Sequence, residues 1–172
     1  MIKSDFKIIL FNGGFAGDLI TALHNPNIFK HFNKESIIID DKAKQLTSYQ
    51  FRQQNTKEEK IKYLKSIENL GVCSSHDVEL ALHLKNNTTI VYCSDHRLNK
   101  IFFERAHRDK QDDMKMTLEQ HLNWQDTNRS IFKNQVDMAK VTDIDFLEKL
   151  GITDLRSASL LKNWITLNNF VQ

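Results

Sequence analysis

The short apolar run Lys7 to Phe11 passes directly into Asn12-Gly13-Gly14-Phe15-Ala16-Gly17-Asp18, and from Leu19 onward apolar residues recur at helical spacing. This junction constrains the fold more than any other feature of the chain. A run of this length, continuous and rich in branched side chains, predicts a buried strand. Three of the five glycines of the sequence stand at Gly13, Gly14 and Gly17. They let the backbone turn sharply from the strand into the first turn of a helix.

The rest of the chain continues the alternation. Ser36 to Ile39 predicts a second strand, stopped by Asp40-Asp41. Thr56 and Glu59 make a capping-box pattern ahead of Ile61, Leu64, Ile67 and Leu70, with Gly71 placed as a terminating glycine. Val72-Cys73 predicts a brief strand, and Ser74 or Ser75 a cap for a helix through Val78, Leu80, Ala81 and Leu84. Thr88 to Cys93 is the strongest strand signal, β-branched and continuous. Helices are predicted over Leu98 to Ala106 and Thr117 to Trp124, a last short strand over Ser130 to Phe132, and two further helices capped by Thr142 and Thr153. Strands alternating with helices predict a three-layer α/β/α fold with a mostly parallel sheet of about four to five strands. With 172 residues, one proline and no linker, the chain reads as one domain over 1–172.

Bulk properties exclude several classes. A net charge of +2 does not imply a nucleic-acid partner. No stretch approaches the roughly 20 apolar residues of a membrane span, and the run Ile8 to Phe11 is too short for a signal peptide's core. Two cysteines, Cys73 and Cys93, are too few for a disulfide scaffold and fit a reducing cytoplasm.

Chemistry concentrates where predicted strands end. A glycine turn opening a helix offers unpaired N–H groups and a partial positive charge, the elements of an anion site. The spacing is neither a Walker A loop nor the dinucleotide fingerprint. A plain turn capped by Asp18, whose carboxylate would repel a phosphate, is the competing reading. Cys73-Ser74-Ser75-His76 and Cys93-Ser94-Asp95-His96 both follow strands, which in a parallel sheet places them on the same edge as the glycine turn. They read either as a tetrahedral zinc site or as a setting for His76 as general base. His24, His31, His83, His107 and His121 show no pattern and read as surface residues.

In this order the segments resemble the sulfotransferase family of P-loop proteins. The glycine turn from Gly13 to Leu19 resembles the family's 5′-phosphosulfate loop, and Ser74-Ser75-His76 its Lys-Thr-His segment. Thr89 to Cys93 with Ser94 to Phe103 resembles its 3′-phosphate strand and helix, and Phe146-Leu147-Glu148-Lys149-Leu150-Gly151 its late helix. The resemblance implies 3′-phosphoadenosine 5′-phosphosulfate or a related nucleotide as cofactor. It further implies His76 as catalytic base, Gly13, Gly14, Phe15, Ala16, Gly17, Asp18 and Leu19 as the donor cradle, and Ser94 and Arg97 at the second phosphate. It implies no metal. The chain departs from the family at its cations. Phe15 or Ala16 stands where a lysine or arginine belongs, as do Ser74 for the family lysine and Ser94 for the family arginine, while Phe102 replaces a serine. Sulfonate transfer builds charge that such cations stabilise, so their loss predicts nucleotide binding with slow or absent transfer.

The expected function is thus a sulfotransferase-like protein binding a phosphorylated nucleotide or small molecule, a transferase if active. The alternatives are an interaction or assembly protein without catalysis and a zinc-binding α/β domain. The C-terminal helix with Trp164 and Phe170 offers a homodimer contact, or ordinary core packing.

Overall fold

The computed structural model describes residues 2–12, 20–21, 29–32, 37–39, 50–51, 53–107 and 116–140. Its central feature is a four-stranded, wholly parallel sheet. The strands are β1 (Lys7–Phe11), β4 (Val72–Ser75), β5 (Thr88–Tyr92) and β6 (Asn134–Asp137), ordered β4-β1-β5-β6. In register, Ile8 pairs with Cys73 and Thr88, Leu10 with Ser75 and Ile90, and Val91 with Val136.

Parallel strands buried on both faces read as continuous apolar runs, and β1 does so. Ile8, Ile9, Leu10 and Phe11 are all buried. Ile8 and Leu10 point to one face by strand alternation. On that face, Ile8 and Cys73 pack with Leu64 and Ile67 of α1 (Lys57–Ile67) and Leu80 of α2 (Val78–His83). Leu10 and Ile90 pack with Ala81 of α2, with Trp124 of α4 (Leu118–Arg129), and with Phe132. Ile9, Val91 and Val136, on the opposite face, are buried as well. The expected α/β class with a parallel sheet is therefore observed.

Local signals explain the boundaries. Thr56 and Glu59 form the expected capping box on α1. Gly71 adopts φ +79°, the left-handed conformation that suits glycine. Thr117 and Gln120 make a second capping box on α4.

Three expectations change. The cap of α2 is Asp77, whose carboxylate accepts from Leu80 N at 2.9 Å. Ser74 and Ser75 instead finish β4 and are fully buried. The apolar segment Ser130 to Phe132 is not a strand. The N–H groups of Ile131 and Phe132 donate to Asn128 O, closing the end of α4, and Phe132 drops into the core. The strand is the more polar Asn134–Asp137 that follows. Finally, β3 (Ile37–Ile39) is a strand, but it pairs antiparallel with β2 (Phe29–Phe32) outside the main sheet. The helices expected after Thr142 and Thr153 lie outside the described residues, as do Trp164 and Phe170.

Candidate functional site

The chain leaves β1 toward β4 on one side, returns across β1 to β5, and continues outward to β6. The connections leaving β1 and β5 therefore diverge. Open α/β sheets bind ligands at such a switch point, beyond the carboxyl ends of the strands. Here that edge carries Asn12 after β1, His76 after β4, the segment 93–97 after β5 and Asp137 at the end of β6.

His76 is fixed by β1. Its Nδ1–H donates to the carbonyl of Phe11 at 2.7 Å, and the two rings lie tilted with centroids 4.2 Å apart. A carbonyl can only accept, so Nδ1 carries the proton and the ring's lone pair is on Nε2 in the neutral form. The expected base and the strand leading into the glycine turn are thus brought together. Next to it, Asp77 caps α2 and forms an ion pair with Lys60 of α1. Burial raises the Asp77 carboxyl, but the Leu80 N–H and the Lys60 ammonium outweigh it and hold the group below its ordinary range.

Asn12, the last described residue before the turn, is held by α4. Its Nδ2 donates to Nδ1 of His121 at 3.0 Å and to the His121 carbonyl at 3.4 Å. Both partners accept, so the amide orientation and the His121 tautomer are mutually determined. His121 was expected at the surface. It is instead completely buried, with the Phe103 ring edge-on at 5.6 Å.

The end of β5 is closed by side chains. Gln125 takes the place of a neighbouring strand for Cys93, accepting from its N–H at 2.8 Å and donating to its carbonyl at 2.9 Å. Asn99 Nδ2 donates to the same carbonyl. Ser94 N donates to Asp137 Oδ1 at 2.8 Å. Asp95 Oδ1 accepts from the N–H groups of Arg97 and Leu98 at 2.8 and 3.0 Å, capping α3 (His96–His107).

The sequence-predicted site residues are thus distributed unevenly. His76, Ser94 and Arg97 all lie on the carboxyl edge. Gly13, Gly14, Phe15, Ala16, Gly17, Asp18 and Leu19 lie outside the described residues. On the β5 side the main-chain N–H groups of Ser94, Arg97 and Leu98 donate to the Asp137 and Asp95 carboxylates.

The two Cys-x-x-His segments do not converge. Cys73 lies in the hydrophobic core beside Ile8 and Leu64, and burial pushes its thiol upward. Burial likewise pushes the Cys93 thiol up to about 12. Among the described residues no three His, Cys, Asp or Glu side chains gather at metal-binding distance.

Sequence reasoning missed Asp95, Asp137, Gln125 and His121. An Asp ahead of a helix is a recognisable cap signal, so Asp95 could have been found. The others become visible only when α4 is laid against the ends of β1 and β5. Among the described residues no helix is long and apolar enough to cross a membrane. Comparison of the chain with family models, with curated proteins and with solved structures gives no match.

Proposed function

We propose that the chain is a nucleotide-binding α/β domain of sulfotransferase-like design. It takes a phosphorylated nucleotide or small phosphorylated molecule at the carboxyl edge of its sheet. The turn from Gly13 to Asp18 cradles the phosphate through main-chain N–H groups, and His76 faces the reacting end as proton acceptor. The observation that carries this reading is the hydrogen bond from His76 Nδ1 to Phe11 O. It joins the candidate base to the strand that leads into the glycine turn, and it places the imidazole proton on Nδ1. Missing cations at Phe15, Ala16 and Ser74 make binding the principal activity and transfer slow.

Glycine substitution tests the cradle. Gly14→Val and Gly17→Val add side chains where the main chain must approach a phosphate. Each variant is expected to stay folded by circular dichroism and to lose adenosine nucleotide binding by calorimetry. Binding unchanged in both variants would overturn the assignment.

A further inference from the structure

A cleft opens at the amino edge of the sheet, the end opposite to His76. It is walled by the segments that enter β1, β5 and β6 and holds about 640 Å³, the size of a small-metabolite pocket. Lys7, Thr89, Asn134 and Val136 line it. Strand alternation and the register, in which Thr89 pairs with Ile9 and with Asn134, put these residues on the same face as Ile9 and Val91. Two amides fasten the walls. Asn87 Nδ2 donates to the carbonyls of Lys3 and Phe6 at 2.9 and 2.8 Å. Gln135 Nε2 donates to those of Arg129 and Phe132 at 2.7 and 2.9 Å. Tyr92, which also borders the cleft, lies under the Arg129 guanidinium at 3.8 Å. The cleft is thus held in shape by contacts that need no ligand.

Its polar side chains are in place but unengaged. Thr89 is only 7% exposed, yet its hydroxyl has no hydrogen-bond partner among the described residues. The same holds there for the Lys7 and Lys133 ammonium groups and the Asn134 amide. A buried hydroxyl is stabilised by a partner, and Thr89 can find one only in the cleft it lines. Asn87 and Gln135 use their NH2 groups on the walls, and their side-chain carbonyl oxygens remain as acceptors. Two lysines stand against one carboxylate, Asp5, so the lining carries excess positive charge. We propose that this cleft binds a small polyhydroxylated anion, the size of a monosaccharide bearing one phosphate or carboxylate. Lys7 and Lys133 take the anionic group as point charges. Thr89, Asn134 and the two acceptor oxygens take the hydroxyls, which donate and accept at once. The site shares no residue with the carboxyl edge and goes beyond the nucleotide reading.

Ligand-observed NMR titration of the full chain with glucose 6-phosphate, gluconate and glucose tests the assignment. At least one of the two anions is expected to bind saturably, and which one does so tells phosphate from carboxylate. Neutral glucose is expected to bind about tenfold more weakly, having no group for the lysines. Lys7→Gln and Lys133→Gln remove charges that have no internal partner, so both variants are expected to fold as the native chain does. Each should weaken the anion about three- to tenfold, the scale of one charge-assisted hydrogen bond at a partly exposed position. Gly14→Val should leave this binding unchanged, which separates the cleft from the glycine turn. Saturable binding of neither anion, glucose binding as tightly as the anions, or anion affinity unaltered in both lysine variants would overturn the proposal. Loss of anion binding in folded Gly14→Val would move the anion to the carboxyl edge, overturning the proposal while leaving the nucleotide reading in place.

Discussion

His76 and Phe11 meet twice, once through a 2.7 Å hydrogen bond from the imidazole Nδ1–H to the Phe11 carbonyl and once through ring contact at 4.2 Å. The residue after β4 is thereby locked to the last residue of β1. In a sheet where these strands are neighbours in register, this contact fixes the imidazole against the end of β1. His76→Ala is expected to abolish any transfer while changing nucleotide affinity less than about threefold, because a base acts in the reaction and not in ground-state binding. Turnover that survives the substitution would remove His76 as base.

Asn12 and His121 form a second tie, between the end of β1 and α4. His121→Phe keeps a ring in the buried space but removes the acceptor for the Asn12 amide. Losing that one buried hydrogen bond costs roughly 0.5–1.5 kcal/mol, which lowers the melting midpoint by roughly 2–6 °C in a domain of this size. Combined with Asn12→Ala, the two losses are expected to be non-additive by at least about 0.5 kcal/mol. Strict additivity in the double-mutant cycle would show that the two side chains are not coupled.

The carboxylate of Asp77 lies below its ordinary range because the Leu80 N–H and Lys60 outweigh the effect of burial. A depressed folded value adds stability above the unfolded carboxylate range, and this stability disappears as pH falls through the folded value. Asp77→Asn retains the cap and removes the charge. It is expected to cost less than about 1 kcal/mol at pH 7, since the pair is only half-buried. The difference from the wild-type chain should shrink as pH drops below about 4. A stability gap that stays constant from pH 7 to pH 3 would contradict the account.

The two thiols behave in the opposite sense. Burial raises both, Cys93 to about 12. A raised folded value contributes stability that is complete below the unfolded thiol range and is lost as pH climbs from about 9 toward about 12. Cys93→Ala is expected to flatten the decline in stability over that interval. In the native chain at pH 8 neither thiol should react with iodoacetamide within the time that labels both in denaturant. Rapid native labelling of either would place it in a different environment.

The sequence carried much of this architecture because its local signals agree with the global fold. β1 and β5 are uninterrupted apolar runs, and Thr56, Glu59 and Gly71 mark both ends of the α1 segment by chemistry alone. β6 was misplaced because its residues Asn134 and Gln135 lack an apolar pattern. The apolar Ile131-Phe132 pair beside it serves as a core anchor after α4, and periodicity does not separate an anchor from a short strand. The placement of His76 on the carboxyl edge was legible, because a histidine directly follows a strand. It was not legible at His121, Gln125 and Asp137, because their roles depend on the placement of α4 and β6 against the ends of β1 and β5, many residues distant in sequence.

The central claim is that the carboxyl edge of the sheet binds a phosphorylated nucleotide, and thermal unfolding in its presence tests that most directly. EDTA-treated protein would be titrated with adenosine 5′-phosphate, adenosine 3′,5′-bisphosphate and ATP. A ligand at 100 times its dissociation constant adds about 2.7 kcal/mol, which raises the midpoint by roughly 5–10 °C. The account predicts such a rise with at least one of the three, abolished by Gly14→Val. An unchanged midpoint with all three nucleotides at millimolar concentration would contradict it.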